Sequence, residues 1–241
     1  MRYRTRGGIV ALRRGIALRL DGLDLHGTWR NGPAAALVGD QVALVTSDEQ
    51  DEAHLYWRLD NQNLLDGGKL RYREATTGTL LPIQTNYLAA GGSGRLKYSL
   101  VDWNGDGLLD LLLGTCGYHS IPSNVTGLPA CAAPAALGGT AAHSQAACAD
   151  NGATVLLMRH WNNKTNTQTT NSTPMPTWVF EWPEWVTVRG KRLSFGGQEA
   201  GVSPFDNGDG KVSLIVATPG GRHIFLDAED LGTSVSEPPV W

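Results

Sequence analysis

The sequence predicts an all-β fold, and three observations carry that prediction. The helical period is almost absent along the 241 residues. Short runs of β-branched and aliphatic residues are bounded instead by Gly, Asp or Asn, which is how strands read. Thirty glycines and twelve prolines are spread as turn punctuation rather than gathered into a linker, as many short connections require.

Taken in order, residues 34–38 and 42–46 read as strands flanking the tight turn Gly39-Asp40-Gln41. Residues 54–59 follow as a strand, and 69–72 read as another. Residues 96–101 and 108–113 flank a polar turn at 102–107. Strands are then expected at 154–161, 178–180 and 186–188. The last set is 201–205, the turn 206–210, then 212–217 and 223–226.

Three of these stretches share one pattern: apolar strand, Gly/Asp turn, apolar strand, short Gly-containing turn, and a third strand with an aromatic. The copies begin at Pro33, Tyr98 and Val202, with turns near 40, 105 and 208. Insertions at 116–151 and 162–176 stretch the spacing, and without them the period is roughly sixty residues, near the upper end for propeller blades. The expected architecture is therefore a β-propeller-type repeat of four-stranded blades in one domain over 1–241. It reads as a partial propeller of about three blades with long loop insertions. Propellers close with typically 4–8 blades, and an open arc leaves strand edges unprotected. Missing blades or another chain are thus expected to complete it.

The bulk numbers exclude several classes. A net charge of −3 gives no electrostatic case for nucleic acid or an anionic membrane. No apolar run approaches the ~18 residues of a membrane span. Met1–Arg6 is basic enough for the start of a signal peptide, but Arg13-Arg14 interrupts the apolar stretch at 8–12. Either the start is internal to a longer precursor or the protein is not secreted by this route. Cys116, Cys131 and Cys148 lack CxxC spacing and so do not suggest zinc; one loop disulfide and one spare thiol are expected in an oxidising compartment. Asn124, Asn163 and Asn171 each open an Asn-X-Ser/Thr triplet, and with the clustered cysteines they point to an extracellular or lumenal setting.

The sharpest chemical signal is Asp102-Trp103-Asn104-Gly105-Asp106-Gly107-Leu108-Leu109-Asp110. Oxygen side chains fall at positions 1, 3, 5 and 9, with glycine at 6. Alternate positions of a tightly curled loop aim successive oxygens inward, and Ca²⁺ wants six to eight of them. Asp102, Asn104, Asp106 and Asp110 are the expected side-chain ligands, and Leu108 supplies a backbone carbonyl. Three carboxylates this close repel one another without a cation, so binding would also stabilise the fold. A helical calcium hand fails, because Leu113 stands where its twelfth-position Glu is needed. The bland alternative is an Asx/Gly hairpin with solvated carboxylates.

With these residues in place, the chain resembles the FG-GAP/VCBS repeats of integrin α-subunit propellers and many secreted proteins. Their pattern Asp-x-Asp/Asn-x-Asp-Gly-x-x-Asp, followed by apolar residues and Gly, is matched from Asp102 to Gly114. The match is specific for this loop and its two strands and covers about half the chain more loosely. It implies a propeller blade whose first interstrand loop holds Ca²⁺. The copy near 208 departs from the pattern, with Phe205 at position 1 and Ser213 at position 9. Only Asn207 and Asp209 remain in place, which predicts a weak or empty site held by packing. The Gly39-Asp40-Gln41 turn is expected to bind nothing.

Other residues read less sharply. Tyr118 and His119 follow the strand after the calcium loop, and a Tyr/His pair can act as base and acid in polysaccharide β-elimination. No Arg or Lys neighbour is evident to neutralise a uronate. Trp178, Phe180, Trp182 and Trp185 could stack on sugars, although blade interfaces use such residues for packing. His54, His160 and His223 sit in strand-like runs as half-exposed partners. There is no phosphate-binding glycine loop and no Gly-x-Ser-x-Gly elbow. The sequence thus predicts an extracellular, calcium-binding scaffold for adhesion or binding to protein or carbohydrate. A polysaccharide lyase using Tyr118 and His119 is the alternative.

Overall fold

Strands that are covered on both faces need apolar residues at consecutive positions, and the middle of this chain supplies them. Leu111, Leu112 and Leu113 are all fully buried, as are Val155, Leu156, Leu157 and Met158. The computed structural model describes residues 4–6, 9–11, 15–27, 32–83, 96–114, 153–161, 178–195, 201–217 and 223–235.

Two short hairpins open the chain, β1 (Arg4–Arg6) with β2 (Ile9–Ala11) and β3 (Arg19–Leu20) with β4 (Leu23–Asp24). Next come β5 (Ala34–Val38), β6 (Gln41–Ser47), β7 (Ala53–Arg58) and β8 (Asn63–Lys69). They are followed by β9 (Arg71–Arg73), β10 (Leu80–Pro82), β11 (Lys97–Val101), β12 (Asp110–Gly114) and β13 (Ala153–Met158). The strands β14 (Val179–Phe180), β15 (Glu184–Val188), β16 (Lys191–Arg192) and β17 (Ser194–Phe195) come next. Last are β18 (Gly201–Asp206), β19 (Val212–Ala217), β20 (His223–Leu226), a single 3₁₀ turn at Ala228–Asp230, and β21 (Leu231–Val235).

Apart from the β1–β2 hairpin, these strands build four sheets that form a ring resembling a four-bladed β-propeller. The all-β, propeller-type expectation therefore holds. The first sheet has the order β4-β3-β8-β7-β6-β5, and the second β10-β9-β14. The third follows the path β11-β12-β13-β15-β16, with β17 on β13 and β21 on β15, and the fourth is β18-β19-β20. The three hairpin-led copies head the first, third and fourth sheets. The remaining sheet had no repeat to announce it, because β14 joins β9 in parallel from a distant part of the chain. Strand numbers are six, three, seven and three rather than four in each blade.

The first strands of the three copies, β5, β11 and β18, lie side by side. Gly32 and Lys97 form a parallel bridge, in which Tyr98 N donates to Gly32 O at 2.8 Å. Ser99 Oγ donates to the carbonyl of Val202 at 2.7 Å. The strands thus run in one direction, and the turns that follow them gather at one end. There a β-carbon placed on Gly105 would lie 3.9 Å from the Gly210 carbonyl.

The third sheet separates two cores. On one side Leu111, Leu113, Leu156 and Met158 pack with Val45, Leu55 and Trp57 of the first sheet and Tyr72 of the second. Trp178, Phe180, Trp182 and Trp185 join this core, with Trp57 and Trp178 meeting edge to face at 5.9 Å. These aromatics pack blades together. On the other side Leu112, Val155, Leu157 and Val186 pack with Val202, Val212, Leu214 and Val216 of the fourth sheet. No helix among the described residues is long and apolar enough to cross a membrane.

Candidate metal centre

The 102–110 loop is built from side-chain oxygens that hold its own backbone. Asp102 Oδ1 accepts from the amides of Gly105 at 2.8 Å and Asp106 at 3.1 Å, and its Oδ2 accepts from Gly107 N at 2.8 Å. Asn104 Oδ1 accepts from Asp106 N at 3.1 Å, and Asp106 Oδ1 from Leu108 N at 2.9 Å. Asx turns of this kind replace ladder bonds where the chain reverses. Gly105 and Gly107 have φ of 73° and 86°, in the left-handed region where a side chain costs energy.

Asp110 differs from the other acids. It is fully buried at the start of β12, whereas Asn104 and Asp106 are exposed and Asp102 is half-buried. Its Oδ2 accepts from Trp103 N at 3.0 Å, and its Oδ1 from His160 N at 2.7 Å. One carboxylate thereby ties the exit of β11 to the stretch that follows β13. Burial pushes the Asp110 carboxyl up to about 6; the two amide bonds oppose that rise, and the charges of Asp106 and Asp102 add to it. The His160 ring packs on Trp178 and Phe180, and burial lowers its basicity.

The structure therefore brings Asp102, Asn104, Asp106, Leu108 and Asp110 into one loop between two strands. The strand begins at Asp110 rather than at Leu108, because Leu108 and Leu109 belong to the turn. Among the described residues, no three His, Cys, Asp or Glu side chains converge as a preformed metal cage.

The related loop after β18 is closed differently. Ser213, buried at the ninth position, accepts from Asn207 Nδ2 at 2.9 Å and from Ala228 N at 3.1 Å. Asn207 is thus committed to a neighbour, and Phe205 at the first position is exposed. In the first copy the turn is only Gly39-Asp40, with no acidic loop.

Tyr118 and His119, the three cysteines, the three Asn-X-Ser/Thr triplets and both insertions lie outside the described residues. Of the strand histidines, His54 and His160 are half-buried and His223 is exposed. Sequence reasoning missed a second polar cluster around His54, because its members come from the β6–β7 turn, β7 and β8 and come together only when those strands pair. No family model, curated protein or solved structure matches this chain.

Proposed function

We propose that the 102–110 loop takes up a structural Ca²⁺ and that the chain is an extracellular or lumenal binding and adhesion scaffold of the FG-GAP/VCBS type. Asp102, Asn104, Asp106 and Asp110 would be its side-chain ligands and the Leu108 carbonyl its backbone ligand. The insertions at 116–151 and 162–176 would carry specificity for a protein or carbohydrate partner, as loops on a rigid scaffold do. One observation carries the reading. A buried carboxylate, Asp110, is opposed by the charges of Asp102 and Asp106, and no lysine or arginine among the described residues pairs with any of the three. A hard cation coordinated by oxygen answers that imbalance, and the donor set offers only oxygen. The ion would add to stability by holding β11 and β12 in register.

Melting in chelator and in Ca²⁺ tests this. At a hundred times its Kd, an ion bound only by the folded state adds about 2.7 kcal/mol, several degrees of Tm for a chain of this size. The shift should be absent in Asp106→Ala. An unchanged Tm on chelation would sink the metal reading. The secretory setting is tested separately, by glycan occupancy at Asn124, Asn163 and Asn171 after expression through that pathway.

A further inference from the structure

A second concave site lies at the far end of the first sheet. The 102–110 loop follows a first strand, whereas this cleft of about 400 Å³ lies beside the turn between the second and third strands, β6 and β7. The β3–β4 hairpin forms its other wall, held to β8 by parallel pairing.

Most charges within it are already engaged. Asp48 Oδ1 accepts from the amides of Gln50 and Glu52 at 2.8 and 3.0 Å. Its Oδ2 lies 3.2 Å from His54 Nδ1 and 3.7 Å from Lys69 Nζ. Lys69 is also held by Glu52 and Gln50. His54 Nε2 lies 2.7 Å from Asp66, and Asp24 pairs with Arg19 at 3.1 Å.

Apart from the exposed imidazole of His26, three groups are left over. Asp21 and Glu49 are exposed carboxylates on the lining, without an ion-pair partner among the described residues. The third is Tyr56. It is only 3% exposed and its ring is stacked on His54 at 4.6 Å, yet its hydroxyl makes no hydrogen bond among the described residues. That hydroxyl is not sealed in like the unpartnered Nε1 of Trp57; it opens onto the cleft that Tyr56 lines. Burial first, then the charges of Asp48, Asp66 and Glu49, push it up to about 12, so the phenol stays neutral in a negative field.

We propose that this cleft binds a primary ammonium group, carried either by a lysine side chain or by an amino sugar. An ammonium brings three donors and no acceptor. Asp21, Glu49 and the Tyr56 oxygen answer them with two carboxylates and one neutral acceptor. An anion would be repelled by the same groups, and a neutral sugar would leave both carboxylates uncompensated. This inference rests on the binding half of the proposed function and not on its calcium half.

Calorimetric titration with trilysine and with the glucosamine trimer tests it, each beside its fully N-acetylated form. At least one ammonium ligand should bind, and neither acetylated form should. Trilysine alone binding assigns a peptide source, the glucosamine trimer alone assigns an amino sugar, and both binding assigns any accessible ammonium. The pair Asp21→Asn and Glu49→Gln should weaken binding about tenfold, since exposed charge contacts are screened by solvent and each contributes modestly. Asn suits position 21, where φ is 50°. Tyr56→Phe should weaken it about threefold to tenfold; if that variant fails to fold, the exposed double variant decides alone. Asp40→Asn, in the turn at the opposite end of the strands, should change nothing. The proposal falls if neither ligand binds, if acetylated forms bind equally, if the double variant retains full affinity, or if Asp40→Asn weakens binding as much. Repeating the titration in chelator separates this site from calcium, because the affinity should persist there.

Discussion

The main-chain amide of His160 donates to the carboxylate of Asp110 at 2.7 Å, across fifty residues of sequence. Through its second oxygen the same carboxylate holds Trp103 N, so one side chain joins the loop, β12 and the stretch after β13. Replacing Asp110 with alanine leaves two donors without their acceptor, each costing about 1–3 kcal/mol. Asp110→Ala should therefore lose about 3 kcal/mol in urea unfolding carried out in chelator. Asp110→Asn keeps one acceptor oxygen and removes the buried charge but turns an NH2 donor towards the second amide, so it should lose about 1–2 kcal/mol, less than alanine. Equal midpoints for alanine and wild type would refute this role.

Asp106 should behave in the opposite way. Exposed, and bonded only within its own turn, it holds little of the fold, and its charge opposes that of Asp110. In chelator Asp106→Ala should stay within about 1 kcal/mol of wild type, while in Ca²⁺ it should lose the whole ion-dependent gain. A chelator-state loss as large as that of Asp110→Ala would show that the loop's acids are structural without metal.

Acid should reveal the turn between β9 and β10. Glu74 accepts from the amides of Thr76 and Thr77, and bonds from Thr77 first and then Thr76 hold its carboxyl down to about 2, from an ordinary 4.5. A depressed carboxyl binds fewer protons folded than unfolded. Its stabilisation is therefore fully present above about pH 4.5 and is lost as pH falls towards 2. Wild type should exceed Glu74→Gln by about 1 kcal/mol at pH 7, and the gap should close between pH 4.5 and 2. A gap independent of pH would count against it.

Gly67→Ala should be costly although it adds a single methyl group. The register of β7 on β8 shifts between Leu55 and Tyr56, which makes Gly67 the extra residue of a bulge. A β-carbon there would sit 2.8 Å from both Leu55 Cγ and Leu55 O, and 2.9 Å from Trp57 Cδ1. Denaturant unfolding should show a loss of about 2 kcal/mol or more. An alanine variant as stable as wild type would mean that β8 can move away.

That bulge also explains what the sequence concealed. Asp66-Gly67-Gly68 falls outside the runs expected as strands, yet it lies inside β8, where Gly67 serves close packing rather than chain reversal. β21 was hidden for a related reason: Leu231-Gly232-Thr233-Ser234-Val235 has weak strand character and is fixed by pairing with β15. By contrast, the hairpins at 34–47 and 201–217 were legible because local alternation and a central turn specify them. The candidate site divides in the same way. Positions 1, 3, 5 and 9 of the loop are local and readable, whereas the amide of His160 reaches Asp110 through long-range pairing that no local spacing encodes. Tyr56 and Glu49 escaped notice for that reason as well.

The burial of the third sheet on both faces has a consequence for exchange with solvent. Leu112 faces one core and Leu111 the other, one residue apart on the same strand. Neither flanking sheet can detach without wetting a strand that the opposite core needs dry. The amides of Leu112 and Leu157, paired across β12 and β13, should thus trade hydrogen for deuterium only when the whole molecule opens. Their protection then measures the global unfolding free energy, and reporters placed in either core should follow one transition.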